Sequence, residues 1–179
     1  MTTARIRVES IAPPQTPLLA GALARIDFAD AFRSRLPTGA PDDLDAVASA
    51  LVDVFETQPA LRFVMRLRDA IVRPFGLRRS DTFKAPAPRS FRPGDRSPLF
   101  RVLARNDDEI LLGEDDSHLD FRLSILVERT PAGAFLTLTT VVQMNNWLGR
   151  AYFAVVRWGH RIIVPALMRR AVGKLAPSR

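Results

Sequence analysis

The sequence predicts an α+β fold in which an antiparallel sheet is covered by one long C-terminal helix. Between residues 99 and 144, apolar and polar side chains alternate with a period of two, and turn-forming residues interrupt them, as is typical of antiparallel strands. From residue 147 to about residue 172, apolar side chains recur with the 3.6-residue period of an amphipathic helix. We therefore expect one domain over residues 1–179, with an ordered core over about residues 10–172.

The N-terminal part predicts an extended lead-in, one strand and two shorter helices. Residues 1–25 show no period, and residues 26–35 predict the first strand, although their alanines also allow a helix. A proline and two acids at residues 41–43 mark a helix start, because apolar residues at helical spacing follow them. Pro59 ends that helix and suits the first turn of a second one, which Pro74 stops.

The middle of the chain predicts an irregular segment followed by strands. Because structureless loops as long as residues 76–97 are uncommon in compact domains, we expect a hidden short strand or a flap there. Phe83 and Phe91 favour a packed flap. The strands that follow are expected at residues 99–105, 109–113, 118–129 and 134–144, with a turn between each pair.

The terminal helix is the longest predicted element. Asn146 is a suitable N-cap, and residues 147–172 would span roughly 39 Å. The residues that we expect to face the sheet are Leu148, Ala151, Tyr152, Val155, Gly159, Ile162, Ile163 and Ala166. Because several of these are small, space should remain between helix and sheet unless sheet side chains such as Phe121 and Leu136 fill it. Pro165 predicts a kink.

Composition excludes several classes of site. The chain has no cysteine, which excludes disulfides and thiolate chemistry, and its two histidines argue against a zinc site of the usual His/Cys kind. The N-terminus lacks the apolar core of a secretory signal, and no uninterrupted apolar span is long enough for a transmembrane helix. We therefore expect a cytoplasmic protein without a metal or another cofactor.

The net positive charge of the chain comes from its C-terminal end. The last 51 residues hold eight Arg or Lys and no Asp or Glu, and the whole chain has a net charge of +7. The expected surface-binding residues on the far side of the terminal helix are Arg150, Arg157, Trp158 and Arg161, with Phe153 and Val164 nearby. Such a face suits an anionic membrane, a second copy of the chain or the 76–97 flap. Exposed apolar patches are usually covered, which favours the flap or a homodimer. No nucleic-acid-binding motif accompanies the face, so we expect no nucleic-acid partner.

One strand offers candidate catalytic residues. His118, Asp120 and Arg122 share one face of the strand at 118–129, whereas apolar residues share the other. If the polar face lines a pocket, Asp120 could orient His118 as a general base and Arg122 could bind an anion, as in a cyclase or hydrolase. Because the apolar face is the natural partner of the helix, burial preference favours a polar face in solvent and a protein that is not an enzyme.

Two motifs resemble a known family. The segment GEDDSHLDFR is followed by an Asn-x-x-Gly-Arg-x-Tyr pattern at Asn146, Gly149, Arg150 and Tyr152. Together they resemble an uncharacterised bacterial domain family within the START/Bet v 1-like (SRPBCC) superfamily, whose fold is the helix grip. This resemblance implies a curved antiparallel sheet wrapped around the terminal helix, with a pocket for a small apolar or amphipathic molecule between them. Its expected lining is Phe121, Leu138, Tyr152, Val155, Gly159, Ile162 and Ala166. Binding of such a molecule is the leading functional hypothesis; an enzyme that uses His118, Asp120 and Arg122 and a membrane-surface or protein-partner module are the alternatives.

Overall fold

The computed structural model describes residues 6–41, 43–58, 90–97 and 100–177. These residues form an antiparallel sheet of six strands, in the spatial order β1-β2-β6-β5-β4-β3, and two helices. The strands are β1 (Val8–Ile11), β2 (Phe28–Arg35), β3 (Arg101–Arg105), β4 (Glu109–Asp115), β5 (Leu119–Thr130) and β6 (Gly133–Met144). The helices are α1 (Leu44–Thr57) and α2 (Trp147–Lys174). The predicted α+β class and the long terminal helix are confirmed.

The N-terminal part differs from its prediction in one element. Strand β1 lies within the expected lead-in and pairs with β2, with Val8 opposite Ser34. Four residues give too few alternations for the period to be recognised in the sequence. The predicted second helix and residues 76–89 of the predicted flap, including Phe83, lie outside the described residues. Phe91, near the other end of that segment, is buried in the core.

Both described helices begin at the predicted caps. The Asp43 carboxylate accepts a hydrogen bond from the backbone N–H of Ala46 at 2.9 Å. The Asn146 side-chain oxygen accepts one from the N–H of Gly149 at 3.0 Å. Each contact satisfies a backbone donor that the first helical turn leaves free. Helix α2 then continues through Pro165 to Lys174 without a break.

One face of the sheet packs against α1 and α2. The register of β2 on β6 places Phe32 opposite Leu138 and Phe28 opposite Val142. These side chains belong to two apolar clusters that also contain residues of α2. The main cluster combines sheet residues with both helices, and its largest buried members include Ile110, Leu112, Ile125, Leu136 and Met168.

The opposite face of the sheet is covered in its centre by the lead-in. Leu19 packs there against Leu111 of β4 and Val141 of β6. The hydroxyl of Thr16 donates to the Glu109 carboxylate at 2.8 Å, and the hydroxyl of Ser124 donates to the same oxygen at 2.5 Å. Because this face is packed, the prediction that the polar face of β5 lies in solvent is wrong for its centre. The lead-in was predicted only as an extended segment, because its leucines show no period by which a covering layer could be recognised.

The buried face of α2 is not the predicted one. The residues that face the protein interior are Gly149, Phe153, Val164, Pro165, Leu167, Met168, Ala171 and Val172. Ala151, Val155, Ile162 and Ala166, which we expected against the sheet, are exposed. The helix carries two apolar arcs, and its period alone cannot say which arc is buried. The arc with Phe153, Leu167 and Met168 is the one that joins the apolar clusters of the sheet and α1.

Candidate functional site

A polar cluster lies in the apolar layer between the sheet and α2. It consists of Asp30 on β2, Thr140 on β6 and His160 on α2. Asp30 and Thr140 are opposite each other in the β2–β6 register, so both side chains point to the helix side of the sheet. His160 Nδ1 lies 3.0 Å from Asp30 Oδ2, and His160 Nε2 lies 3.3 Å from Thr140 Oγ1. We call these three residues the polar cluster.

The surroundings of the polar cluster are apolar on both sides along the strands. The pair Phe32–Leu138 lies two residues away in one direction, and the pair Phe28–Val142 in the other. Phe28 also presents its ring edge-to-face to His160, with 6.3 Å between ring centroids. A carboxylate in such a layer is costly unless its oxygens find donors, so the imidazole contact offsets part of the cost of burying Asp30.

The carboxylate of Asp30 has unused hydrogen-bonding capacity. The Asp30 side chain is 13% exposed and that of His160 is 18% exposed, so the cluster is enclosed but still reached by solvent. Asp30 Oδ1 is buried and has no hydrogen-bond partner among the described residues. An ionised carboxylate accepts at both oxygens. The site can therefore receive a hydrogen-bond donor at Oδ1 while His160 holds Oδ2.

The order carboxylate, imidazole, hydroxyl is that of a proton relay. With Asp30 ionised and the imidazole neutral, Nδ1–H donates to Asp30 and Nε2 accepts from the Thr140 hydroxyl. Acyl transfer needs, in addition, N–H donors for an oxyanion. Strand β6 is hydrogen-bonded on both edges, to β2 and to β5, so the N–H groups beside Thr140 are already used in the sheet. These N–H groups are therefore not free to stabilise an oxyanion beside Thr140.

The predicted catalytic residues are not brought together. His118 is buried, with Nδ1 3.4 Å from Asp116 Oδ1 and its ring 5.4 Å from that of Tyr152. Asp120 accepts a hydrogen bond from the backbone N–H of Asp116, which fixes the β4–β5 turn.

Arg122 has a structural role on the face of the sheet away from α2. It donates to Asp115 at 2.6 Å and to the carbonyl oxygen of Ala22 at 3.2 Å, and so attaches the lead-in to the sheet. Since His118 lies against Tyr152 of α2 and Arg122 lies against the lead-in, the two side chains do not share a surface.

The predicted ligand-lining residues divide into two groups. Leu138 is buried beside the polar cluster, and Phe121 and Tyr152 are half-buried in the apolar cluster at the start of α2. Gly159 is half-buried, and a Cβ there would meet only Ile163 Cδ1 at 3.7 Å. Val155, Ile162 and Ala166 lie on the exposed side of α2 and cannot line a space beneath it.

The sequence contains one signal for the polar cluster. Phe28, Asp30 and Phe32 follow one another at a spacing of two, so they share one face of β2. An acid between two phenylalanines on a buried face is unusual and indicates a buried partner. The partner, His160, gives no comparable signal in the sequence, because a different arc of α2 is predicted to be buried.

The exposed side of α2 carries large apolar residues. Trp147 is 72% exposed, Val155 71%, Trp158 65% and Ile162 73%. With Ala151 they form what we call the outer face of α2. The predicted surface-binding residues Arg150, Arg157, Trp158 and Arg161 are all exposed. The Arg157 guanidinium lies 5.7 Å from the centroid of the Trp158 ring.

The start of α2 is fixed tightly to the sheet. The Asn146 amide donates to the carbonyl oxygen of Ser117 at 2.9 Å. A Cβ on Gly149 would lie 1.9 Å from the carbonyl oxygen of His118, so only glycine permits this approach.

Near the start of α2, Asp27 accepts hydrogen bonds from Arg25 and from the backbone N–H of Met144. The pKa of Asp27 is lowered to about 2, chiefly by the hydrogen bond from Arg25.

Two further observations concern metals and membranes. Within residues 6–41, 43–58, 90–97 and 100–177, no group of three or more His, Asp or Glu side chains is placed to hold a metal ion. In the same parts of the chain, neither helix combines the length and apolar character needed to cross a bilayer.

Comparison with known proteins gives one match. The family model described as "Protein of unknown function (DUF2867)" matches residues 22–167, a range that contains all three residues of the polar cluster. No curated protein and no solved structure matches the chain.

Proposed function

The chain belongs to the DUF2867 family of proteins of unknown function, and on that premise we propose that it binds a small amphipathic molecule between the sheet and α2. The observation that carries the proposal is Asp30 Oδ1, a buried carboxylate oxygen without a hydrogen-bond partner among the described residues. We propose with it that the sheet and α2 form a helix grip of the START/Bet v 1-like type, the fold in which such molecules are bound at this place.

The polar end of the molecule is a hydrogen-bond donor. A carboxylate oxygen only accepts, and a donor delivered to Asp30 Oδ1 replaces a missing contact. Because the group at Oδ1 is a carboxylate, it favours an amine over a hydroxyl and a hydroxyl over a carboxylate. This order of preference is the chemical signature of the site.

The remainder of the molecule is apolar. The side chains around the polar cluster on the helix side of the sheet are Phe28, Phe32, Leu138 and Val142. Tyr152 and Phe121 continue the apolar layer toward the start of α2. Polar contacts in an apolar setting fix the orientation of a ligand, while the burial of its apolar part provides most of the affinity. A short alkyl or aryl group with one donor fits this division.

The proposal is tested by calorimetric titration with three six-carbon probes: hexylamine, hexanol and hexanoate. The expected affinity order is amine, then alcohol, then carboxylate. Asp30→Asn removes the negative charge and should weaken hexylamine binding by about tenfold, the effect of losing a charge-assisted hydrogen bond. Asp53→Asn, which changes an exposed carboxylate on α1, is the matched control and should leave the affinity unchanged.

Two results would contradict the proposal. One is the absence of saturable binding of any of the three probes to the wild-type protein. The other is hexylamine binding that Asp53→Asn weakens as much as Asp30→Asn does, because the amine would then be responding to surface charge.

A further inference from the structure

The outer face of α2 has the properties of a membrane-contact surface. It carries both tryptophans of the chain, together with Val155 and Ile162, at 65–73% exposure. From the geometry we infer that this face docks on the surface of an anionic lipid bilayer, with α2 lying in the plane of the interface. This inference does not depend on the proposed ligand site, because it uses the opposite side of the helix.

The apolar residues of the outer face form one continuous line. Trp147, Ala151, Val155, Trp158 and Ile162 follow at steps of three or four residues, which places them on one side of a helix. At a rise of 1.5 Å per residue, the line is about 22 Å long. Tryptophan is enriched at the level of lipid headgroups, where its ring is half in apolar surroundings and its N–H can meet water.

Arginines lie along one flank of this line. At 100° per residue, Arg150, Arg157 and Arg161 fall side by side on the helix, between the outer face and the buried face. Among the described residues, Arg157 and Arg161 have no carboxylate partner in an ion pair. Since no acid occurs after residue 128, this part of the helix attracts anions without internal compensation. An apolar line beside a row of cations is the pattern of helices that lie in a membrane interface.

A second copy of the chain fits this face less well. A symmetric dimer formed through the outer face would bring the same patch of both copies together. If the two helices are antiparallel, the arginine rows of the two copies lie side by side without intervening acids, which opposes association. In an anionic bilayer, phosphate and carboxylate groups can pair with the arginines. The headgroup region can bury the apolar line.

The test uses the full chain and vesicles of phosphatidylcholine with or without phosphatidylglycerol. Because both tryptophans lie on the outer face, their fluorescence reports docking directly. We expect a blue shift of the emission and co-sedimentation with the anionic vesicles, both reduced by added salt. Each arginine near an anionic surface strengthens partitioning by about fivefold, so Arg157→Glu/Arg161→Glu should weaken it by at least about 25-fold.

Two further variants separate the apolar contact from the charge effect. Arg92→Glu/Arg101→Glu makes the same change in net charge at exposed positions elsewhere, and it should weaken partitioning far less. Ile162→Ser leaves the charge unchanged on the exposed side of α2 and should weaken partitioning several-fold.

Three results would overturn the inference: no co-sedimentation of the wild-type chain with anionic vesicles, equal losses for the two double reversals, or a dimeric mass in solution together with emission that is already blue-shifted without vesicles. The last result would identify a second copy as the occupant of the face.

Discussion

The His160 ring nitrogen Nδ1 lies 3.0 Å from the Asp30 carboxylate and so connects the middle of the terminal helix to an inner strand of the sheet. The two residues are 130 positions apart in the chain, and their contact lies inside an otherwise apolar layer. It has two consequences. It orients α2 about its own axis, and it leaves the second oxygen of Asp30 able to accept from a bound molecule.

The Asp30–His160 contact should be visible as a coupling energy. Asp30→Ala and His160→Ala should each lower the free energy of unfolding by about 1–3 kcal/mol, because each leaves a buried partner without its hydrogen bond. The double variant should lose clearly less than the sum, since the second change removes a group that is already unpaired. Urea unfolding at neutral pH measures all three. A control cycle of Asp53→Ala with His160→Ala should be additive, and an additive Asp30–His160 cycle would show that the contact contributes nothing.

Two glycines of α2 should respond in opposite directions to alanine. In Gly149→Ala the new methyl group would lie 1.9 Å from the His118 carbonyl oxygen, which is backbone and cannot easily move. We expect a loss of at least about 1–3 kcal/mol, the usual cost of overpacking. Gly159→Ala meets only Ile163 Cδ1 at 3.7 Å and should stabilise the helix by about 0.5–1 kcal/mol. Thermal unfolding of both variants measures these changes in stability. Similar losses of stability in both would contradict the close approach at Gly149.

Acid should remove a specific contribution of Asp27. The hydrogen bond from Arg25, and after it the one from the backbone N–H of Met144, hold the pKa of Asp27 at about 2, below its ordinary value of 3.8. A carboxyl whose pKa is lower in the folded state stabilises the protein above the unfolded pKa, and this stabilisation is lost as the pH falls toward the folded pKa. The stability difference between wild type and Asp27→Asn should therefore be constant from pH 7 to about 5 and shrink between about pH 4 and pH 2. Unfolding curves at several pH values test this, and a difference that stays constant down to pH 2 would contradict it.

Thr16 should hold the lead-in on the sheet. Its hydroxyl donates to the Glu109 carboxylate, which is 1% exposed. Thr16→Val removes that donor and should cost about 1.5–3 kcal/mol, the range for hydrogen bonds to charged groups. Hydrogen exchange should then become faster in residues 12–24 than elsewhere in the chain. Thr38→Val, at an exposed position, is the control, and equal exchange in both variants would show that the Thr16 contact does not fix the lead-in.

The sequence predicted the elements of the described fold better than their contacts. Caps and period are local properties, so Asn146 and the start of α2 could be placed to the residue. The buried arc of α2 depends on the shape of its partners, which no local pattern contains. For the same reason the sequence pattern did not predict the contact between His160 and Asp30, and it predicted wrongly that Val155 and Ile162 are buried. Fold-level resemblance suggested where a ligand would bind, but it could not supply the polar residues of the site.

The most direct test of the central claim is the nuclear magnetic resonance spectrum of the chain with ¹⁵N-labelled histidine. Only His118 and His160 contribute signals, and His160→Gln assigns them. The account predicts that hexylamine shifts the His160 ring signals in a saturable manner while those of His118 remain in place. Ring signals of His160 that stay unchanged at saturating hexylamine, or that move only together with those of His118, would contradict a binding site at Asp30.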